Sequence, residues 1–370
     1  MQRRAVTVAA TLLPLALLTA VLASPAAAQE PVPADPPSAG PWGAGTGLRP
    51  AADSETAPGG TRILTLYSGT VRMDRGAEWQ DVDLTLQAGP DGVVRPVAAP
   101  HDLTLTPAGP SVRYAGGGSD SLPWPTPLPT PVLDGPRATY PQAAPGYDLE
   151  VDATRAGFVA SLRENGTPTA PPPPLRLARQ TAPATEAASA VDRVVASAPV
   201  QGDAPVPFDT TTQTTVRNTD ASGDPDLRVG SYDGVEAARS YLTFDLAEAA
   251  GTTVGRATLD VYQTWSASCR PSAWEVWSLG APVGPALRWA NQPAPQKRWA
   301  SSTDTRGNAA ACAAGWSTVD VTDLVRGWVA AGATSGTVVL KAADETDPLS
   351  WKRFASAETA TVPRLTVTAS

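Results

Sequence analysis

The segment SYLTFDL (Ser240–Leu246) sets Leu242, Phe244 and Leu246 at every second position, and RATLDVYQ (Arg256–Gln263) does the same with Ala257, Leu259 and Val261. A period of two puts these side chains on one face of an extended chain, the pattern of a half-buried strand. Outward from this pair, AWEVWSL (Ala273–Leu279), WSTVDV (Trp316–Val321), GTVVLKA (Gly336–Ala342) and RLTVT (Arg364–Thr368) read as further strands. Many short strands separated by turn signals predict an all-β fold, a jelly-roll-type β-sandwich over residues 208–370. One short helix interrupts them. In VTDLVRGWVAAG (Val321–Gly332), Thr322 is placed to cap the N-terminus, Leu324, Val325 and Trp328 share a face, and Gly332 suits the position past the C-terminus. The helix is expected to cover an open end of the sandwich.

Upstream, RILTLY (Arg62–Tyr67), WQDVDLTL (Trp79–Leu86), HDLTLT (His101–Thr106) and YDLEVDA (Tyr147–Ala153) predict a small β domain over 61–177. After the run Pro171 to Pro174, residues 178–207 are rich in Ala and Pro and read as a linker; 188–197 could form a short helix, with flexible chain the preferred reading. Residues 29–60, with seven prolines between Pro31 and Pro58, read as a disordered Pro/Gly-rich tether. Residues 1–28 have the parts of a signal peptide: Arg3 and Arg4, an apolar run from Ala5 to Leu22, and the small residues Ala26, Ala27 and Ala28. Cleavage is expected before Gln29. The alternative, an uncleaved anchor helix, is disfavoured by Pro14 and the small-residue exit. Export would put Cys269 and Cys312, the two cysteines, where they oxidise, and a disulfide between them is expected to staple the excursion from Gly280 to Asn308 to the sheet.

Composition narrows the function. The 370 residues carry 28 Lys and Arg against 36 Asp and Glu, a net charge of −8, which argues against capture of nucleic acid. With a single histidine, His101, multi-histidine metal centres are out of reach, and any Ser-His-Asp machinery would depend on that one ring. No P-loop, serine elbow or HExxH motif accompanies it. His101 reads as structural and the chain as non-catalytic.

The run LRVGSYDG (Leu227–Gly234), RSYLTFDL (Arg239–Leu246), TWSASC (Thr264–Cys269), WEVW (Trp274–Trp277), Cys312, VTDLVRGW (Val321–Trp328) and DETDPLSWKRF (Asp344–Phe354) resembles the DNRLRE-domain family over about 209–370. Of the naming hexapeptide, Asp226-Leu227-Arg228 is the part present. The resemblance implies a secreted β-sandwich similar to carbohydrate-binding modules, of a type frequent in actinobacterial surface proteins. Residues 62–164, with WQDVDLTL and ATYPQAAPGYDLEV, are similar to the β region preceding this module in long Rhs-repeat chains.

Eight of the eleven tryptophans lie at 265 and beyond. Flat aromatic faces stack on sugar rings, with amide and charged groups meeting the hydroxyls. Trp328, Trp274, Trp316 and Trp265 read as core, and Trp277 is left unassigned. Trp289 and Trp299, in RWANQPAPQKRW with Asn291, Gln292 and Lys297, are the ligand-facing candidates, joined by Trp351 in SWKRF. Lys352 and Arg353 read as ion-pair partners. Asp220, Asp224 and Asp226, and Asp344, Glu345 and Asp347, are weak candidates for a structural calcium; solvated turns or salt bridges to Arg228 and Arg353 are preferred. The expected function is a secreted or cell-surface module docking on extracellular or cell-wall polysaccharide, with no nucleic-acid partner and no membrane association once the leader is removed. The alternatives are a ligand-free stalk and an accessory part of a polysaccharide-degrading enzyme.

Overall fold

The computed structural model describes residues 51–370 apart from 58–59, 75–77, 115–116, 169–170, 180–192, 198–206 and 281–282. The expected signal peptide, most of the expected tether and much of the expected linker lie outside the described residues. The C-terminal sandwich contains β1 (Ala52–Thr56), β2 (Arg62–Tyr67), β3 (Phe208–Gln213), β4 (Asp226–Ser231), β5 (Ala237–Asp245), β6 (Val254–Ser266), β7 (Trp274–Ser278), β8 (Arg298–Ser302), β9 (Gly315–Asp320), α1 (Thr322–Ala330), β10 (Ser335–Ala342), β11 (Lys352–Ala355) and β12 (Arg364–Ala369).

One layer runs β1-β2-β12-β6, with β9 on the other edge of β6 and β11 and β4 continuing from its far end; the second runs β3-β5-β10-β7-β8. Strand β4 passes between layers, pairing β11 over Asp226 to Val229 and β5 at Gly230 and Ser231. The period-two residues do what their spacing requires: Leu242 and Phe244 from one layer meet Leu259 and Val261 from the other, around Trp274 and Phe354, whose rings meet edge to face at 5.3 Å. The helix buries Leu324 and Val325 in this core. Its Gly332 adopts φ +66°, as its position past the helix requires. Thr322 is not its cap: the cap position falls on Val321, and the Thr322 hydroxyl binds the backbone of Ala257.

RILTLY, expected in the N-terminal β domain, belongs to this sandwich. Strand β2 pairs with β12 in antiparallel register, Leu64 opposite Val367 and Leu66 opposite Leu365, and both leucines are fully buried in the main core. The alternating pattern identifies a strand but carries no information about its partner.

Arg72–Asp74 and Trp79–Asp81 pair with each other, and the other N-terminal strands build a second sandwich. Five strands between Val132 and Ser197 face six between Asp83 and Arg179, around Leu103, Tyr140, Leu149 and Phe158. Two of these strands fall in the expected linker. Arg193–Ser197 pairs with Gly157–Glu164, and Ala178–Arg179 pairs with Ser119–Ser121. The first replaces the helix or flexible chain read over 193–197, while 188–192 lie outside the described residues. His101 hydrogen-bonds the Thr154 carbonyl at 2.7 Å, and burial pulls its pKa down.

The described residues form one compact unit, and the contact between the sandwiches is polar. Within the C-terminal sandwich, the Asp209 carboxylate accepts hydrogen bonds from Ser68 Oγ at 2.9 Å and the Ala357 N–H at 2.7 Å. Arg155, from the N-terminal sandwich, donates to the carbonyls of Thr70 and Thr359, and its own N–H donates to the Glu358 carbonyl. Burial raises Asp209 to about 7; burial and then the charge of Asp209 raise Glu358 to about 8. Both carboxyls bind their proton more tightly folded than unfolded, so the stability they contribute is complete below the ordinary carboxylate range and is lost as pH rises toward 8. The thermal midpoint should therefore fall between about pH 5 and pH 8, and Asp209→Asn should flatten that fall. Equal slopes in the two proteins would show that Asp209 does not titrate there.

Candidate functional site

After β7 the chain folds back over the outer face of the second layer, where Leu279, Val283 and Leu287 close on Phe208, Tyr241 and Val339 in a satellite core. Polar groups fasten this flap. Gln292 Oε1 accepts hydrogen bonds from Tyr241 Oη at 2.7 Å and Arg239 Nη1 at 3.2 Å. Arg239 is held by both oxygens of Glu345 at 2.7 Å and lies 5.2 Å from the centre of the Trp289 ring. Asn291 uses its side chain within the flap, accepting from the Arg288 N–H and donating to the Ala286 carbonyl. Trp289 and Gln292 are thus brought together by Arg239 of the sheet, while Asn291 is engaged inside the flap. Lys297 places its ammonium 3.6 Å from the centre of the Trp299 ring, which packs against the main core with its Nε1 buried and unpartnered.

Trp351 lies at the loop end of the sandwich, beyond β4, β6 and β11. Three segments meet there. The Ser231 N–H donates to Ser350 Oγ at 2.9 Å, the Ala267 N–H to the Trp351 carbonyl at 3.0 Å, and Arg270 to Asp347 at 3.0 Å. Two glycines permit the approach. Gly230 and Gly234 have φ of +96° and +80°, and a Cβ at Gly230 would stand 2.3 Å from the Ser350 carbonyl oxygen. On this base the Tyr232 ring meets the buried Trp351 ring edge to face, with centroids 5.3 Å apart. Tyr232 is 47 % exposed, Val235 80 % and Leu349 36 %. Tyr232 was not among the sequence candidates; its signal was an aromatic residue inside the turn sequence SYDG, where no core position exists.

Two tryptophans expected in the core lie outside it. Trp265 is 37 % exposed with Arg353 5.5 Å from its ring centre, and Trp316 packs on Tyr262 beneath Arg364. A β-bulge in β6 between Gln263 and Trp265 shifts the alternation and turns Trp265 outward.

Cys269 and Cys312 form a disulfide with Cα atoms 5.7 Å apart. It secures residues 303–312 against the end of β6, whereas the flap over 279–297 is held by the Arg239 network. Lys352 is fully buried rather than ion-paired at the surface. Its ammonium donates to Thr305 Oγ1 at 3.0 Å, and burial lowers its pKa to about 8.

Five of the six weak calcium candidates face arginine: Asp220 with Arg288, Asp224 with Arg228 and Arg193, Asp226 with Arg193 and Arg353, Glu345 with Arg239, and Asp347 with Arg270. Burial acts to raise Asp224, but Arg228 and Arg193 outweigh it and hold the group below its usual range. Asp344 accepts from the Thr346 N–H and hydroxyl. Among the described residues no group of three or more His, Cys, Asp or Glu side chains is placed to hold a metal ion.

Residues 204–369 match the model of carbohydrate-binding module family 96, which describes a carbohydrate-binding β-sandwich. The match covers β3 through β12 and leaves out β1, β2 and the whole N-terminal sandwich. No curated protein matches the chain.

Proposed function

We propose that this is an exported, non-catalytic protein whose C-terminal module attaches it to extracellular or cell-wall polysaccharide. The observation that carries the reading is the family match over 204–369, which takes in the sandwich core apart from Ala52, Leu64 and Leu66 of β1 and β2. The apparent leader in the sequence and the Cys269–Cys312 disulfide favour an oxidising compartment outside the cytoplasm. No helix among the described residues is long and apolar enough to cross a membrane. A spacer without a ligand is the second reading, favoured by the junction at Arg155, which ties the N-terminal sandwich to the carbonyls of Thr70, Glu358 and Thr359.

Affinity electrophoresis separates the two. The full chain run through gels containing dissolved polysaccharides, with pull-down on insoluble ones, is expected to be retarded or captured by at least one. Migration unchanged in every gel and no capture would leave the spacer reading.

A further inference from the structure

We infer that the N-terminal sandwich carries a binding cleft of its own, between Trp124 and Arg176, and that this cleft takes a carboxylate-bearing sugar residue of a polysaccharide. The cleft lies outside the matched segment, and the preference for a sugar polymer over a peptide rests in part on the proposed function.

The cleft forms where a short antiparallel pair ends. Ala178 stands opposite Ser121, and Arg179 opposite Asp120. In the same register 122–125 would face 174–177, but Pro123, Pro125 and Pro174 have no N–H to donate, and the ladder stops. The two segments become the walls of a cleft of about 350 Å³, lined by Trp124, Arg176, Leu122 and four prolines. Small-ligand sites span roughly 300–1,000 Å³, so this one has room for a single sugar ring at a time. Both walls are fixed. Trp124 donates its ring N–H to the Ala143 carbonyl at 3.1 Å and its backbone N–H to the Ala108 carbonyl at 2.9 Å. On the other wall Leu175, between Pro174 and Arg176, is buried in the core of this sandwich. A cleft built on such a frame needs little ordering when it binds.

The ligand class follows from the lining. Arg176 is exposed and makes no hydrogen bond or ion pair among the described residues, whereas Arg179 faces Asp120 at 3.7 Å. No acidic residue among those described lines the cleft. A free guanidinium beside an otherwise apolar wall fits a ligand with one apolar face and one carboxylate, which the planar fork can hold through two hydrogen bonds. A uronic-acid ring has that form, with C–H groups to pack on Trp124 and the prolines and its carboxylate carried on a ring carbon. An extended peptide fits less well, because the prolines supply no N–H groups for main-chain pairing. One polymer held at both sandwiches would gain avidity over either site alone.

Phenylglyoxal, which modifies free guanidinium groups, tests this on the full chain, with the modified residues located by peptide mass mapping. Tetragalacturonate should slow modification of Arg176 and leave that of the exposed Arg113 unchanged. The methyl ester of the same oligomer, which lacks the charge, should protect neither. Trp124→Ala should raise the oligomer concentration for half-protection of Arg176 about tenfold, and Trp124→Tyr, which keeps a ring on the wall, by less. Arg176 modified equally fast with and without the oligomer overturns the site. Equal protection by the methyl ester overturns the ligand class, and half-protection unmoved in both Trp124 variants overturns the stacking wall. Protection by a proline-rich peptide and not by the oligomer assigns the cleft to a peptide and overturns the inference. If Arg176 is unprotected while polysaccharides still retard or capture the chain, this inference fails and the proposed function stands. An unprotected Arg176 with no capture in any format removes both.

Discussion

Replacing Leu64 and Leu66 together by alanine should abolish cooperative folding of the C-terminal sandwich, although both residues precede the matched family segment. Each is completely buried between β12 and the opposite layer, and each truncation costs roughly 2–5 kcal/mol through lost transfer energy and the cavity left behind. A domain has only about 5–15 kcal/mol of net stability, so the pair of changes removes much of it. Thr65→Ala, at the intervening position on the other face of β2, should change stability by less than about 1 kcal/mol. Urea unfolding followed by tryptophan fluorescence reads the result, since most of the tryptophans lie in this sandwich. An unchanged midpoint in the double variant would mean that the hairpin of β1 and β2 is an ornament on the sheet rather than part of it.

Removing the disulfide should have an effect of similar size. Closing the chain between Cys269 and Cys312, 43 positions apart, restricts the unfolded state by about 4 kcal/mol in the chain-entropy view. For a domain of this size that corresponds to a fall of roughly 10 °C in thermal midpoint. Alanine at both positions and chemical reduction of the unmodified protein should give the same lowered midpoint, and reductant should have no further effect on the variant. The loss should be local at first, because residues 303–312 cover Lys352, whose desolvated ammonium gains from water as soon as that cover opens. A midpoint insensitive to reductant would show that the packing of Thr305 and Asn308 alone holds the segment.

The individual strands of the C-terminal sandwich were legible because alternation is a local property, and Leu242, Phe244, Leu259 and Val261 announce their face within a few residues of one another. The helix was legible for the same reason, through Leu324, Val325 and Gly332. Pairing was not legible. RILTLY looks the same whether its neighbour is HDLTLT or RLTVT, and the choice depends on contacts between opposite ends of the chain. RVVAS (Arg193–Ser197) was hidden for another reason: five residues amid alanine and proline carry too little pattern to stand out, and their order comes from the edge of Gly157–Glu164. Among the site candidates, the sequence identified aromatic residues but not which of their faces were taken. Arg239 reaches Trp289 from a strand fifty residues earlier, and nothing in RWANQPAPQKRW indicates it. The disulfide was readable because two cysteines allow one pairing.

The pairing of β2 with β12 also fixes an order of events during synthesis. A strand made early must wait for its partner until almost the whole described chain has been produced, on the order of tens of seconds at typical elongation rates. Through that interval Leu64 and Leu66 have no native cover, and the sheet edge they belong to is open. Chains broken off before Arg364 cannot close the layer, so incomplete products would carry an exposed apolar edge and become ready substrates for proteases or for aggregation. Closure of this sheet thus requires that synthesis has reached the strand Arg364–Ala369.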